Sequence, residues 1–300
     1  MKSKRLIPVF VIAAMLLLSQ FMALFMARSF SEVEVVAFEE PSDPMNLITI
    51  LVSIALITLL FFFISTRKNR AFHKLLQGII FFALWMLLYY GLFAIFSFFL
   101  SPELTGPLSI IVSVMAIVAL WIHPEWYLID ACGLIAASSA VALFGISLSI
   151  PFIVVLLVVL AVYDAISVYK TKHMIMLAKH TVDLNLPLML VAPSNLKYSF
   201  RSSKFPTSPQ EKKEGQNAMF AGLGDVVIPS MLPVGIYYGV ESLPLTLAVI
   251  IGILVGFGVL GSQALKGKAQ AGLPFLNGGA ILAYLIGSYC LFGGLAGFSL

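Results

Sequence analysis

The run "MFAGLGDVVIPSML", residues 219–232, is apolar except for one carboxylate, Asp225, which follows two glycines, Gly222 and Gly224. If this run enters a bilayer, an ionisable group sits in hydrocarbon. A charge at the membrane centre costs about 2.5–3.5 kcal/mol even on lenient insertion scales. Such residues face the protein interior and mark a function. Whether the run is a span depends on the rest of the chain. Of its 300 residues, 60% are hydrophobic and only 11% are charged. Mean hydropathy is +1.03. A soluble domain needs far more polar surface, so the class is a polytopic membrane protein of one domain, residues 1–300.

A spanning helix needs roughly 20 apolar residues. Nine segments qualify: 6–27, 46–65, 76–100, 107–122, 129–149, 151–169, 218–239, 243–263 and 273–296. No window alternates like a barrel strand. The fold class is all-α, with nine transmembrane helices. Lys2, Lys4 and Arg5 precede the first span, which places the N-terminus in the cytoplasm. With alternating spans, 17 of the 18 basic residues then fall in internal segments, and only Arg28 does not. The first external loop carries Glu32, Glu34, Glu39, Glu40 and Asp43 instead. The C-terminus lies outside. The first apolar run, about 22 residues, is too long for a signal peptide and reads as an uncleaved helix.

One long polar break separates the sixth and seventh spans, over 170–217. Residues 170–180 read as an amphipathic piece at the inner surface. Residues 186–193, "LPLMLVAP", read as extended, and 194–217 as a mobile, Ser-, Lys- and Pro-rich stretch. The net charge of +4 is spread over short loops, so nucleic acid is not a partner. Cys132 and Cys290 both lie in apolar runs and read as small hydrophobes, neither disulfide nor metal ligands.

Two of the 14 acids lie well inside spans: Asp225, and Asp164 in "VVLAVYDAISVYK" (158–170). Asp164 precedes Lys170 by six residues, about 9 Å of helix. Asp225 follows Asn217 by eight, about 12 Å. The two helices are antiparallel, so both acids lie at similar depth below the cytoplasmic face and are placed to meet. Two carboxylates a few ångströms apart resist joint ionisation and hold one proton between them. The charged member then activates a water, and the neutral member donates to a peptide carbonyl oxygen. Gly222, three residues before Asp225, and Gly224 let another backbone approach the acid. Asp130 is a third acid near a span end, beside Trp126 and Tyr127, and reads as interfacial.

Tyr163-Asp164 in the sixth span and Gly222-Leu223-Gly224-Asp225 in the seventh resemble the YD and GxGD motifs of presenilin and signal peptide peptidase, the GxGD intramembrane aspartyl proteases. The resemblance implies nine helices with the acids on the sixth and seventh, and the presenilin orientation. It implies an intramembrane aspartic endopeptidase that cuts transmembrane-helix substrates in the lipid bilayer, without metal or other cofactor. Asp164 and Asp225 would be catalytic; Tyr163, Gly222, Leu223 and Gly224 would contact substrate. The family's Pro-Ala-Leu motif has its counterpart in Pro274-Phe275-Leu276, where phenylalanine replaces alanine and would narrow the groove. Pro274 would break the helix start and free backbone groups for strand addition by substrate. Segment 186–193 would supply an edge strand beside the acids. A chain acting alone or as a homo-oligomer is expected, in the cell membrane of a prokaryote or otherwise an endomembrane.

Other chemistries lack their residues. The four histidines lie at span ends or in loops, and no H-E-x-x-H run occurs. Prepilin peptidases continue their GxGD as D-x-K, whereas Val226 and Val227 follow here. "GFGVLG" (256–261) reads as small-residue helix packing. The rival is a proton-coupled transporter or ion leak pathway built on the same acids.

Overall fold

The computed structural model describes residues 2–66, 70–171, 188–195, 198–200, 218–264 and 270–298. Among them are nine α-helices and one two-stranded sheet. The helices begin with α1 (Lys2–Glu32), α2 (Pro44–Thr66), α3 (Arg70–Ser97), α4 (Pro102–Ile122), α5 (Trp126–Ser147) and α6 (Ile150–Ile166). A π-helical turn, Ser167–Thr171, extends α6. Strands β1 (Met189–Pro193) and β2 (Ala218–Gly222) follow, then α7 (Leu223–Gly239), α8 (Leu243–Ala264) and α9 (Leu273–Phe292). The amphipathic piece expected over 170–180 and the mobile stretch expected over 194–217 lie almost wholly outside the described residues.

Among the described residues, seven helices are long and apolar enough to cross a membrane: α1, α3, α4, α5, α6, α8 and α9. Helix α7 has 17 residues and is shorter than a full span. Several boundaries differ from the sequence reading, among them two with a physical reason. Helix α4 starts at Pro102, because Pro107 is tolerated inside it. Residues 218–222, read as the start of the seventh span, form β2.

The sheet explains the second difference. β1 and β2 are antiparallel, with Leu190 opposite Ala221 and Val191 opposite Phe220. Both faces are covered. Leu190 and Ala192 pack into the cluster built by α1, α6, α7, α8 and α9, and Val191 and Ala218 into the one built by α3, α4 and α5. A strand buried on both faces reads as a continuous apolar run, indistinguishable by pattern from helix.

Helix α6 shows how a membrane helix is sorted into faces. Ile153, Leu157, Leu160 and Asp164, spaced for one helical stripe, are all at most 5% exposed. Val155, Val158, Val162 and Ile166, on the other side, are 44–55% exposed, as expected for residues that meet lipid. Helices α8 and α9 approach closely through glycine. A Cβ at Gly256 would collide with the Phe275 carbonyl, and one at Gly252 with the Gly279 carbonyl. Lipid gives no hydrophobic drive for helix pairing, so small residues spaced by four serve close packing instead.

Candidate active site

Asp164 lies on the buried stripe of α6, 3% exposed. Its Oδ2 accepts a hydrogen bond of 3.0 Å from the Leu273 N–H, at the first residue of α9. A further backbone contact comes from Gly272. The carboxyl thus satisfies one of the four N–H groups that a helix start leaves without partners. A second bond holds the same pair of helices deeper in: Asn277 Nδ2 donates to the Leu157 carbonyl at 2.8 Å. Leu157 lies two turns before Asp164, and Asn277 one turn after Leu273. Asn277 is fully buried, and its role is not readable from sequence, because its partner is 120 residues away.

Asp225 arrives by another route. It lies in the first turn of α7, three residues after the end of β2, and takes a backbone hydrogen bond from Gly222. Pro229 lacks the N–H that would bond the Asp225 carbonyl in a regular helix, so this turn is held less tightly. The carboxyl points at Gly272. A Cβ there would lie 3.0–3.1 Å from the Asp225 carboxyl atoms. Gly272 is therefore the meeting point: one acid bonds the backbone at 272–273, and the other fills the space where a side chain would be. Electrostatic repulsion from Asp164 reaches the Asp225 carboxyl.

Asp225 opens into a cavity of about 170 Å³. Met219, Phe220 and Ala221 of β2 line it, with Gly272 and Leu276 from the start of α9. This is room for several waters, since one needs only about 10–15 Å³ on the same measure.

The other residues singled out from sequence fall in different places. Gly222 sits against the Asp225 carboxyl, where a Cβ would lie 3.6 Å from Oδ2. Gly224 is exposed, with only Ile228 near its missing side chain. Leu223 donates its N–H to the Leu188 carbonyl and extends the ladder. Tyr163 is 47% exposed on the lipid-facing side of α6, turned away from Asp164. Pro274 and Phe275 are half-buried and do not line the cavity. Three backbone N–H groups around Pro274 are engaged within the protein. Leu273 N–H serves Asp164, and those of Phe275 and Leu276 both bond the Gly272 carbonyl.

Asp130 is buried inside the protein, which its place near a span end did not reveal. It is 4% exposed, and its Oδ1 accepts a 2.7 Å bond from the Val191 N–H of β1. The outer edge of β1 is thereby covered at its centre, so the edge strand expected at 186–193 is not open there. Nothing in the sequence around Asp130 signals this, since the partner is 61 residues away.

The family described as "Signal-peptide peptidase, presenilin aspartyl protease" matches residues 13–293. The chain belongs to this family. Two crystal structures of a presenilin family intramembrane aspartate protease, in C222 and P2 space groups, superpose on it with TM-scores of 0.67 and 0.69. They are 31% and 32% identical in sequence; each comparison covers 94% of this chain and 99% or 98% of the other. No curated protein matches. The presenilin-like fold and the apolar helices make the chain an integral, multi-pass membrane protein.

Proposed function

We propose that this presenilin-family chain is a GxGD-type aspartic endopeptidase that hydrolyses peptide bonds in or near transmembrane segments, with Asp164 and Asp225 as its catalytic pair. The observation that carries this reading is their convergence on Gly272, at the rim of a cavity that Asp225 lines and that has room for several waters. The pair holds one proton. Its charged member draws a proton from a water, whose oxygen attacks the scissile carbonyl carbon. Its neutral member donates its proton to the carbonyl oxygen, giving a tetrahedral diol. Collapse breaks the C–N bond as a proton passes to the leaving nitrogen. Water is the nucleophile, and no metal or organic cofactor takes part.

The substrate must unwind, because a helical peptide bond is shielded from water. The cavity lies on the β2 side of the sheet, and residues 219–221 lead directly to Asp225. An extended substrate segment is held along this side by strand addition. Gly222, Leu223 and Gly224 border it from the strand end, and Leu276 with its neighbours Pro274 and Phe275 from the α9 start. Nine crossings complete the topology, with the N-terminus cytoplasmic and the C-terminus outside. Residues 1–300 form one membrane domain, and 170–217 the cytoplasmic connection. The basic residues of the internal segments support this orientation. The chain acts alone or as a homo-oligomer, in the cell membrane of a prokaryote or otherwise an endomembrane.

The test is reconstitution of the purified protein in lipid vesicles with a labelled membrane-helix peptide. The wild type cleaves it, and neither Asp164→Asn nor Asp225→Asn does. Solute flux without cleavage would place the protein among transport pathways and reject the reading.

A further inference from the structure

Asp130 stands outside the pair described above, yet it is a buried carboxylate within a membrane helix. Its Oδ1 takes the Val191 N–H at 2.7 Å. Its Oδ2 is buried without a hydrogen-bond partner among the described residues. An acceptor left so is destabilising, so its retention calls for a reason.

The register supplies one. Antiparallel partners alternate between pairs that exchange backbone bonds and pairs that do not. Since the Val191 N–H goes to Asp130, Val191–Phe220 is a non-bonded pair. Leu190–Ala221 and Ala192–Met219 are then the bonded ones, in step with the Leu223 N–H to Leu188 carbonyl bond at 3.1 Å. Asp130 therefore grips the sheet from the side opposite the cavity, at the middle residue of β1. Glu125, the residue just before α5, holds the chain beyond β1: its carboxylate accepts from Ser199 Oγ at 2.8 Å and the Phe200 N–H at 3.3 Å. Helix α5 is also pressed close to the sheet, with Leu190 and Leu223 both 3.3 Å from where a Cβ on Gly133 would lie.

We infer that Asp130 is a positioning residue that anchors β1 and closes the far edge of the sheet, so that substrate is held only along β2. Charged groups turned onto a strand edge stop further pairing there. A β1 edge left open would offer substrate a second strand to pair with, farther from Asp225, and so present different peptide bonds to the acids. This inference rests on the protease reading.

The experiment measures, on the reconstituted full chain, the product termini of a labelled membrane-helix peptide by mass spectrometry, and backbone hydrogen exchange of residues 188–192. Three variants are compared: Asp130→Ala, Asp130→Asn, which keeps the acceptor oxygen, and Val191→Pro, which removes the donor. Proline is tolerated at a strand position whose N–H points away from the ladder, so the third variant keeps the sheet where the first does not fold. The expected result is one dominant cut for wild type and Asp130→Asn. For Asp130→Ala and Val191→Pro, cuts spread to neighbouring bonds, kcat/KM falls about tenfold, as for loss of a bond to a charged group, and exchange at Leu190 and Ala192 quickens. Combining those two changes costs no more than either alone. An unchanged cleavage pattern with unchanged exchange overturns the inference, as does an Asp130→Asn pattern as spread as that of Asp130→Ala. Absence of any wild-type cleavage would instead reject the protease reading, while the exchange data would still judge the anchor.

Discussion

Asp164 and Asp225 reach the same glycine by different means. Asp164 stands on a regular helix whose interior stripe was set by apolar spacing, and its carboxyl is pinned by the start of α9. Asp225 stands in the first turn after a strand, braced by Gly222 and by the absence of a side chain at Gly272. One acid is held by the start of another helix, the other by its own strand end and by the space left at Gly272. The lesson is that the two halves of the site should fail differently, although the chemistry needs both.

The pH dependence bears on what they share. On the proposed mechanism one proton on the pair is the active form, so kcat/KM for a model peptide should be bell-shaped. On each flank it should fall about tenfold per pH unit, as one essential group titrates. A profile with a single flank would mean that only one acid titrates in catalysis.

The next effect separates the two halves. Gly272→Ala pushes a methyl group against the Asp225 carboxyl while leaving the Leu273 N–H to Asp164 in place. The carboxyl must give by a few tenths of an ångström; since displacement of a reacting group by about 1 Å costs about a hundredfold, kcat should fall about tenfold with little change in the thermal midpoint. A fully active Gly272→Ala enzyme would show that Asp225 is not held by that space.

The Asp164 side responds more mildly. Asn277→Ala removes the second tie between α6 and α9, and a hydrogen bond of this kind is worth about 1 kcal/mol. Thermal unfolding should show a loss near that size, with a severalfold drop in turnover. A loss equal to that of Gly272→Ala would mean that the two sides are not distinct. The control is Arg28→Ala, which breaks the pair with Glu32 at 3.1 Å. Both side chains are 70% and 61% exposed, and such pairs contribute about 0–1 kcal/mol. Cleavage rates should stay at the wild-type value.

The same contrast governs what the sequence revealed. Asp164 was legible because a lone acid on a periodic apolar helix has one physical explanation. The Asp225 motif was legible too, but its setting was not. β2 is buried on both faces, so "AMFAG" reads as the start of a helix, and the depth counted along that helix did not apply. The closed helices α8 and α9 were foreshadowed by their glycines, since Gly256 opens the stretch read as small-residue packing. The bonds from Asp130 to Val191 and from Asn277 to Leu157 join residues far apart in the chain, and no local pattern reports them. Tyr163, one residue before Asp164, is turned about 100° from it around the helix and is 47% exposed.

The most direct measurement of the central claim is single-turnover cleavage of a labelled membrane-helix peptide by Asp164→Asn, Asp225→Asn and the double variant. Groups that act as one unit are not additive. All three should fall to the same residual rate, about 10²–10⁴-fold below wild type, the span attributed to general acid–base catalysis. Turnover by either single variant well above that of the double would contradict a shared proton and with it the catalytic pair.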